Sequence, residues 1–328
     1  MKVKSIFLSA ILVFTSCATD TKKLDVIFDS DANNELDDQH AIAYLLSNQD
    51  FYNILAITTN ATFNGGNAAE QATEAIRVAK LMGDYGKDVT IIPGATANFE
   101  KIRPTLNDTK YFDGHEAVDF IIKAAKEHSP KNKLVLIPVG KLTNIALALE
   151  KAPEIAQNVR IVWLGSNYPN PGEYNLENDI PSMNYVLDCD VETEFVLVNP
   201  EHGMTATAQV CISRREVKER IVGRGPQVSP VEGRQGGTFT CFGDYSLNLF
   251  DQCSTDDDYQ RALFDMVAVA TTHHPEWGES KEIPAPTMVD KQFVDRPDNK
   301  HKIKIWFNFD RDAFINDFIE SLERTTKK

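Results

Sequence analysis

The apolar positions of this 328-residue chain fall in short bunches divided by polar loops. Leu24 to Phe28 is mostly apolar and reads as a short buried strand; Ala41 to Leu46 reads as the start of a buried helix. Further strands are expected at Ile54 to Thr59, Val89 to Ile92, Leu134 to Val139, Val159 to Leu164 and Glu194 to Val198. Helical spacing recurs between them. Ala68, Ala72, Ala75, Ile76 and Ala79 follow Asn67 and Glu70, a pair that resembles a capping box, and that helix stops at Gly83. Ala117 to Ala125 and Ile145 to Glu150 are also helical, and Leu263 to Ala270 is a polar point opening a buried helix. Near the end, Ile303, Ile305, Phe307 and Phe309 alternate with Lys304, Trp306 and Asn308, a strand with two faces, and Asp310 to Leu322 closes as a helix. Strand, loop and helix repeat in order. That predicts one α/β domain over 24–325, an open, mostly parallel (mixed) sheet with helices on both faces. From about 212 to 259 Gly, Pro and Arg dominate, and an irregular insertion or flap over the rim is expected there.

The polar loops carry the chemistry. Asp29-Ser30-Asp31-Ala32-Asn33-Asn34-Glu35-Leu36-Asp37-Asp38 puts five carboxylates into ten residues at the carboxyl end of the first strand. In open α/β sheets ligands bind at that end. So many like charges cost energy unless a cation or a polar ligand compensates them. Oxygen-only ligands suit a hard ion, Ca²⁺ or Mg²⁺. The plainer alternative is a solvated acidic loop. Aspartyl-phosphate phosphatases also carry Asp-x-Asp after a first strand, but with Thr or Val where this chain has Asn33.

Composition narrows the partners. The formal net charge of −14 repels phosphate backbones and disfavours a nucleic-acid polymer. Beyond the N-terminus no apolar run is long enough to span a membrane. Residues 1–16 read as a secretory signal, basic at Lys2 and Lys4 and apolar from Ser5 to Phe14. Phe14-Thr15-Ser16-Cys17 resembles a bacterial lipobox, with Cys17 as the lipidated residue and 17–23 as anchor and tether. The expected location is therefore the bacterial cell envelope, lipid-anchored. Of Cys189, Cys211, Cys241 and Cys253, the Cys241–Cys253 pair is favoured by its place around a loop, with free thiols as the alternative.

Taken in order, these loops resemble the inosine–uridine-preferring nucleoside hydrolase superfamily, over roughly residues 24 to 323. The Asp loop is one anchor. Gly140-Lys141-Leu142-Thr143-Asn144-Ile145-Ala146 resembles the family's Gly-Pro-Leu-Thr-Asn-Ile-Ala. Glu173-Tyr174-Asn175 with Asp179 is similar to its Glu-Phe-Asn segment, and Phe264-Asp265-Met266-Val267-Ala268 to its His-Asp-Pro-x-Ala. The resemblance implies Ca²⁺-dependent hydrolysis of the N-glycosidic bond of a ribonucleoside or related riboside. It implies a metal held by Asp31, Asp38, Asp265 and the Thr143 carbonyl, with Asp31 as general base and Asp29 supporting the shell. Asp37, Glu173 and Asn175 would hold ribose hydroxyls. Asn64 or Asn67, and Asn167 or Asn170, would also face the sugar.

Three departures are visible. Five residues, Ala32 to Leu36, separate Asp31 from Asp37, where the family has three, and Glu35 could add a ligand. The family's Pro-Gly in that loop is missing. Its base-protonating His is Phe264 here. Phe264, or one of Phe239, Phe242 and Tyr245, would then stack on the base. The competing reading is a sugar- or glycan-binding lipoprotein that keeps the metal and ribose site without turnover. A homo-oligomer stays open.

Overall fold

The computed structural model describes residues 22–106, 110–200 and 204–327. The signal segment and Cys17 lie outside them. The first strand, β1 (Leu24–Ser30), is buried from Val26 onward, with no alternation because helices cover both of its faces. Then come α1 (Asp37–Ser47), β2 (Tyr52–Thr59), α2 (Ala68–Leu81), β3 (Ile91–Pro93), α3 (Phe99–Ile102), α4 (His115–Lys126), β4 (Leu134–Pro138), α5 (Thr143–Lys151) and β5 (Val159–Leu164). Next are α6 (Tyr174–Asn178), α7 (Ile180–Asp188), β6 (Glu192–Val196), α8 (Arg214–Arg220), α9 (Phe242–Cys253), α10 (Phe264–Thr271) and α11 (Arg311–Thr326). The main sheet has eight strands. Its order is Glu279–Pro284, Lys302–Phe307, β6, β5, β4, β1, β2, β3. Only the outermost pair, Glu279–Pro284 with Lys302–Phe307, is antiparallel.

The chain leaves β1 toward β2 and β3 on one side and returns to β4, β5 and β6 on the other. That reversal opens a crevice at the carboxyl ends of β1 and β4. There Asp29 pairs with Pro138 in register, and the Val139 amide donates to the Asp29 carbonyl at 2.8 Å. Helices α1, α2, α10 and α11 are packed together through α1, and α3, α4 and α7 pack on α5. All eleven residues of α1 are buried, so the acidic loop feeds a helix in the core rather than on the surface.

Two expectations change. The 212–259 segment is not irregular throughout. Ser213 and Glu216 form a capping box for α8, and α9 buries Phe242, Tyr245, Ser246, Leu249 and Phe250 on one face. The Gly and Arg density between the two helices hid both. Cys241 and Cys253 cannot pair, because α9 holds them at its two ends, roughly 18 Å apart at 1.5 Å per residue. All four cysteines described are free thiols. Among the described residues no helix is long and apolar enough to cross a membrane.

Candidate active site

A cavity of about 220 Å³ opens where β1, β4, β5 and β6 end. Asp31, Asp37, Asp38, Asp265, Glu173, Asn175, Asn167 and Phe264 all line it. Three elements contribute the aspartates: the turn after β1 gives Asp31, the first turn of α1 gives Asp37 and Asp38, and the first turn of α10 gives Asp265. All four are buried. One carboxylate oxygen from each of Asp37, Asp38 and Asp265 lies within 4.8 Å of the others. Ser30 Oγ donates to Asp38 at 2.6 Å, and Thr62 Oγ1 donates to Asp31. Asp29 lies at the end of β1 and accepts from Thr58 (2.7 Å), Asn144 (2.8 Å) and Asn60 (3.1 Å). Gly140 is required beside it, since a Cβ there would stand 2.7 Å from Asn60 Oδ1 and 3.0 Å from Asp31 Oδ1.

Burial, and then mutual repulsion, raises the carboxyl pKa values of the metal-free protein. Asp29 and Asp31 are pushed up to about 6 and Asp37 to about 7, while Asp38 and Asp265 rise well above the carboxylate range. Among the described residues nothing cationic lines the cavity to offset them. The buried Lys141, whose charge favours ionised Asp29, is itself pushed down to about 8 by burial. Its Nζ is committed elsewhere, to the carbonyls of Thr96 and Ala97 and to Asn98 Oδ1 at 2.9–3.0 Å. An all-oxygen, multiply anionic pocket of this kind fits a hard divalent cation.

Glu173 caps α6. Its carboxylate accepts from the amides of Ser166, Asn175 and Leu176 at 2.8–2.9 Å. Asn175 Nδ2 donates to the carbonyls of Val139 (2.8 Å) and Leu164 (3.1 Å), tying the ends of β4 and β5 and leaving its Oδ1 as the remaining acceptor. Asn167 Oδ1 accepts from the Asn199 amide at 2.8 Å.

Other expected residues lie elsewhere. Thr143 does not line the cavity. It opens α5, where a carbonyl turns to the amide four residues on, and its hydroxyl donates to Asp179. The β4-end residue on the cavity is Val139. Asn64 is exposed and outside the cavity, with its amide on Tyr174 Oη at 3.1 Å. Asn67 is exposed too, and its Oδ1 accepts from the amides of Ala69 and Glu70 as the α2 cap. Asn170 is likewise outside. Phe242 and Tyr245 are core, Phe239 packs on Tyr245 at 5.3 Å, and none of the three reaches the cavity. Replacing Asn67 with Ala is therefore expected to cost about 1 kcal/mol of stability in urea titrations, with nucleoside kinetics unchanged; a raised KM at unchanged stability would return Asn67 to the sugar site.

Sequence reading missed Val139, Leu164, Tyr174 and Asn199. Each follows or ends a strand, or sits inside the Glu173–Asn175 segment, so the strand-end rule was the available signal. A second ligand-like group, His273, His274 and Asp317, lies beyond the far end of α10. Both ring nitrogens of His273 already face tyrosine hydroxyls, those of Tyr52 and Tyr44.

Fold and site together define an α/β protein with a buried carboxylate pocket at the topological switch of a parallel sheet. The chain belongs to the inosine-uridine preferring nucleoside hydrolase family, whose sequence model matches residues 26–316. It is 29% identical to the inosine-uridine preferring nucleoside hydrolase of Leishmania major over 197 residues, 55% of this chain and 58% of that protein. It is 28% identical to the non-specific ribonucleoside hydrolase RihC of Salmonella paratyphi A over 195 residues, 52% and 60% of the two chains. These alignments thus span under two thirds of the relatives' lengths. Among solved structures, the fold matches a purine-preferring ribonucleoside hydrolase from Gardnerella vaginalis with a TM-score of 0.69 at 19% identity, covering 92% of this chain and 98% of that one.

Proposed function

We propose that this protein hydrolyses the N-glycosidic bond of ribonucleosides, giving ribose and free base, with Ca²⁺ in the aspartate pocket. The carrying observation is the meeting of Asp31, Asp37, Asp38 and Asp265 in one buried cavity. Asp38 and Asp265, with Asp31 beside them, would hold the cation through their carboxylates, and Val139 is the residue after β4 that would offer a carbonyl. A divalent cation held there would supply Lewis acidity toward the attacking water. Asp31 takes the proton of the attacking water. The water oxygen bonds to the anomeric carbon, the C–N bond breaks, and the base leaves with the bonding electrons and gains a proton from solvent. Positive charge builds on the sugar ring in the transition state, and the surrounding carboxylates stabilise it. Asp37 and the Oδ1 of Asn175 accept from ribose hydroxyls, and Glu173 fixes the loop that presents Asn175. Phe264 and Tyr174 are the aromatic residues on the cavity lining that would stack on the base. The sequence of residues 1–17 supports export and a lipid on Cys17; Cys17→Ala should then move the protein from the membrane to the soluble fraction.

The test is ribose release from inosine, adenosine, guanosine, uridine and cytidine, with and without chelator. Chelator-sensitive release is expected. Tight nucleoside binding with no release from any of the five would replace hydrolysis by the binding reading.

A further inference from the structure

The related proteins named above differ in base preference, so family membership does not set it. The cavity does contain a feature of its own. Its floor is the buried aspartate group, which suits sugar hydroxyls, so a bound base must lie toward the opening. Glu35 is the exposed carboxylate on that cavity wall. It lies in the five-residue stretch between Asp31 and Asp37, and the loop is braced. The Asn33 amide donates to Gln71 Oε1 at 2.5 Å, Asn33 Nδ2 donates to the Gly65 carbonyl at 2.7 Å, and Arg234 donates to the Asn33 carbonyl at 2.9 Å. Gly65, at φ +78°, is needed there, because a Cβ would stand 2.7 Å from the Asn33 carbonyl. Glu35 itself is ion-paired with Arg261, three residues ahead of Phe264. Arg261 is half-buried and lies behind this wall rather than on it; its ion pair is with Glu35, and its Nε has no hydrogen-bond partner.

We infer that Glu35, positioned by Arg261, selects the leaving base, favouring a purine that presents a ring N–H beside an exocyclic amine, as guanine does. The inference rests on the nucleoside reading above. One Arg contact leaves most of a carboxylate's acceptor sites free. A carboxylate takes two parallel hydrogen bonds from such a donor pair, as it does from a guanidinium, but one from hypoxanthine, which lacks the amine. Each hydrogen bond to a charged acceptor is worth roughly ten- to a hundredfold in relative affinity.

The experiment compares guanosine with inosine, which differ only by that amine. Wild type should show a kcat/KM for guanosine at least about tenfold above inosine. Glu35→Gln, which keeps shape and a contact to Arg261, should collapse that ratio toward one, and Glu35→Ala should do the same. A role confined to bracing the loop would lower both substrates alike and leave the ratio intact, which overturns the inference. So would a wild-type ratio near one. If wild type cleaves other nucleosides but neither of these two, the inference falls while the hydrolase reading stands; if it cleaves none of the five, the hydrolase reading has failed, and the Kd ratio of guanosine and inosine on wild type and on Glu35→Gln still decides the role of Glu35: a guanosine preference lost with Glu35 supports it, and no preference, or one that survives, defeats it.

Discussion

Asp31→Asn is expected to lower kcat/KM for every ribonucleoside by about 10²–10⁴-fold, the usual contribution of a positioned general base. The substitution is close to isosteric. Its oxygen can still accept from Thr62, so the loop should keep its shape. What the amide cannot do is take a proton. Asp29 is the control. Three side-chain donors already engage its carboxylate, and it lies behind the cavity lining. Asp29→Asn should therefore act through the packing of Thr58, Asn60 and Asn144 and cost stability more than chemistry. Base absorbance and reducing-sugar release, measured on both variants with far-UV circular dichroism as the folding check, separate the two. An Asp31→Asn enzyme within about tenfold of wild type would remove Asp31 from the role of base.

The frame of this site was legible because strand-end chemistry leaves a local trace. Buried parallel strands are continuous apolar runs, and the loop after each one has to be polar to reach solvent or ligand. Asp31, Asp37, Asp38, Glu173 and Asp265 all announce themselves that way, and all line one cavity. The Asn67–Glu70 box was equally visible, and the same observation should have removed Asn67 from the sugar site, since a cap oxygen accepting from two amides is already used.

What escaped was geometry that residue type does not encode. Val139, not Thr143, lines the cavity, because Val139 directly follows β4 at the strand end while Thr143 begins a helix. A backbone carbonyl carries no side-chain signature. α9 was hidden by the Gly- and Arg-rich stretch before it, although its apolar face packs on a distant segment of the chain, where His40 of α1 meets Ser246 at 2.7 Å and packs edge-on to Phe242 and Phe250. The pairing of Glu35 with Arg261 spans more than two hundred residues and could be read only once the fold had brought them together.

Metal removal is expected to reverse the pH dependence of stability as well as to abolish activity. In the metal-free protein Asp29 and Asp31 titrate near 6 and Asp37 near 7, against an ordinary value of 3.8, because burial disfavours their charged forms. The native state then holds more protons than the unfolded chain between about pH 4 and pH 7. Stability must fall as pH rises through that window. One pKa unit is worth about 1.4 kcal/mol, so the group together loses on the order of several kcal/mol. A bound divalent cation favours the ionised carboxylates and removes that loss. Thermal melts at pH 5, 6 and 7.5 should thus show Tm falling with pH in chelator and holding or rising in Ca²⁺. Asp38→Asn adds a sign test: in chelator at pH 7.5 the wild type must hold Asp38 protonated while the unfolded chain ionises it, a cost the amide lacks, so Tm should rise there, whereas in Ca²⁺, where a ligand is lost, Tm should fall relative to wild type. Melts that are flat with pH and indifferent to both Ca²⁺ and Mg²⁺ would mean that the pocket is not a cation site.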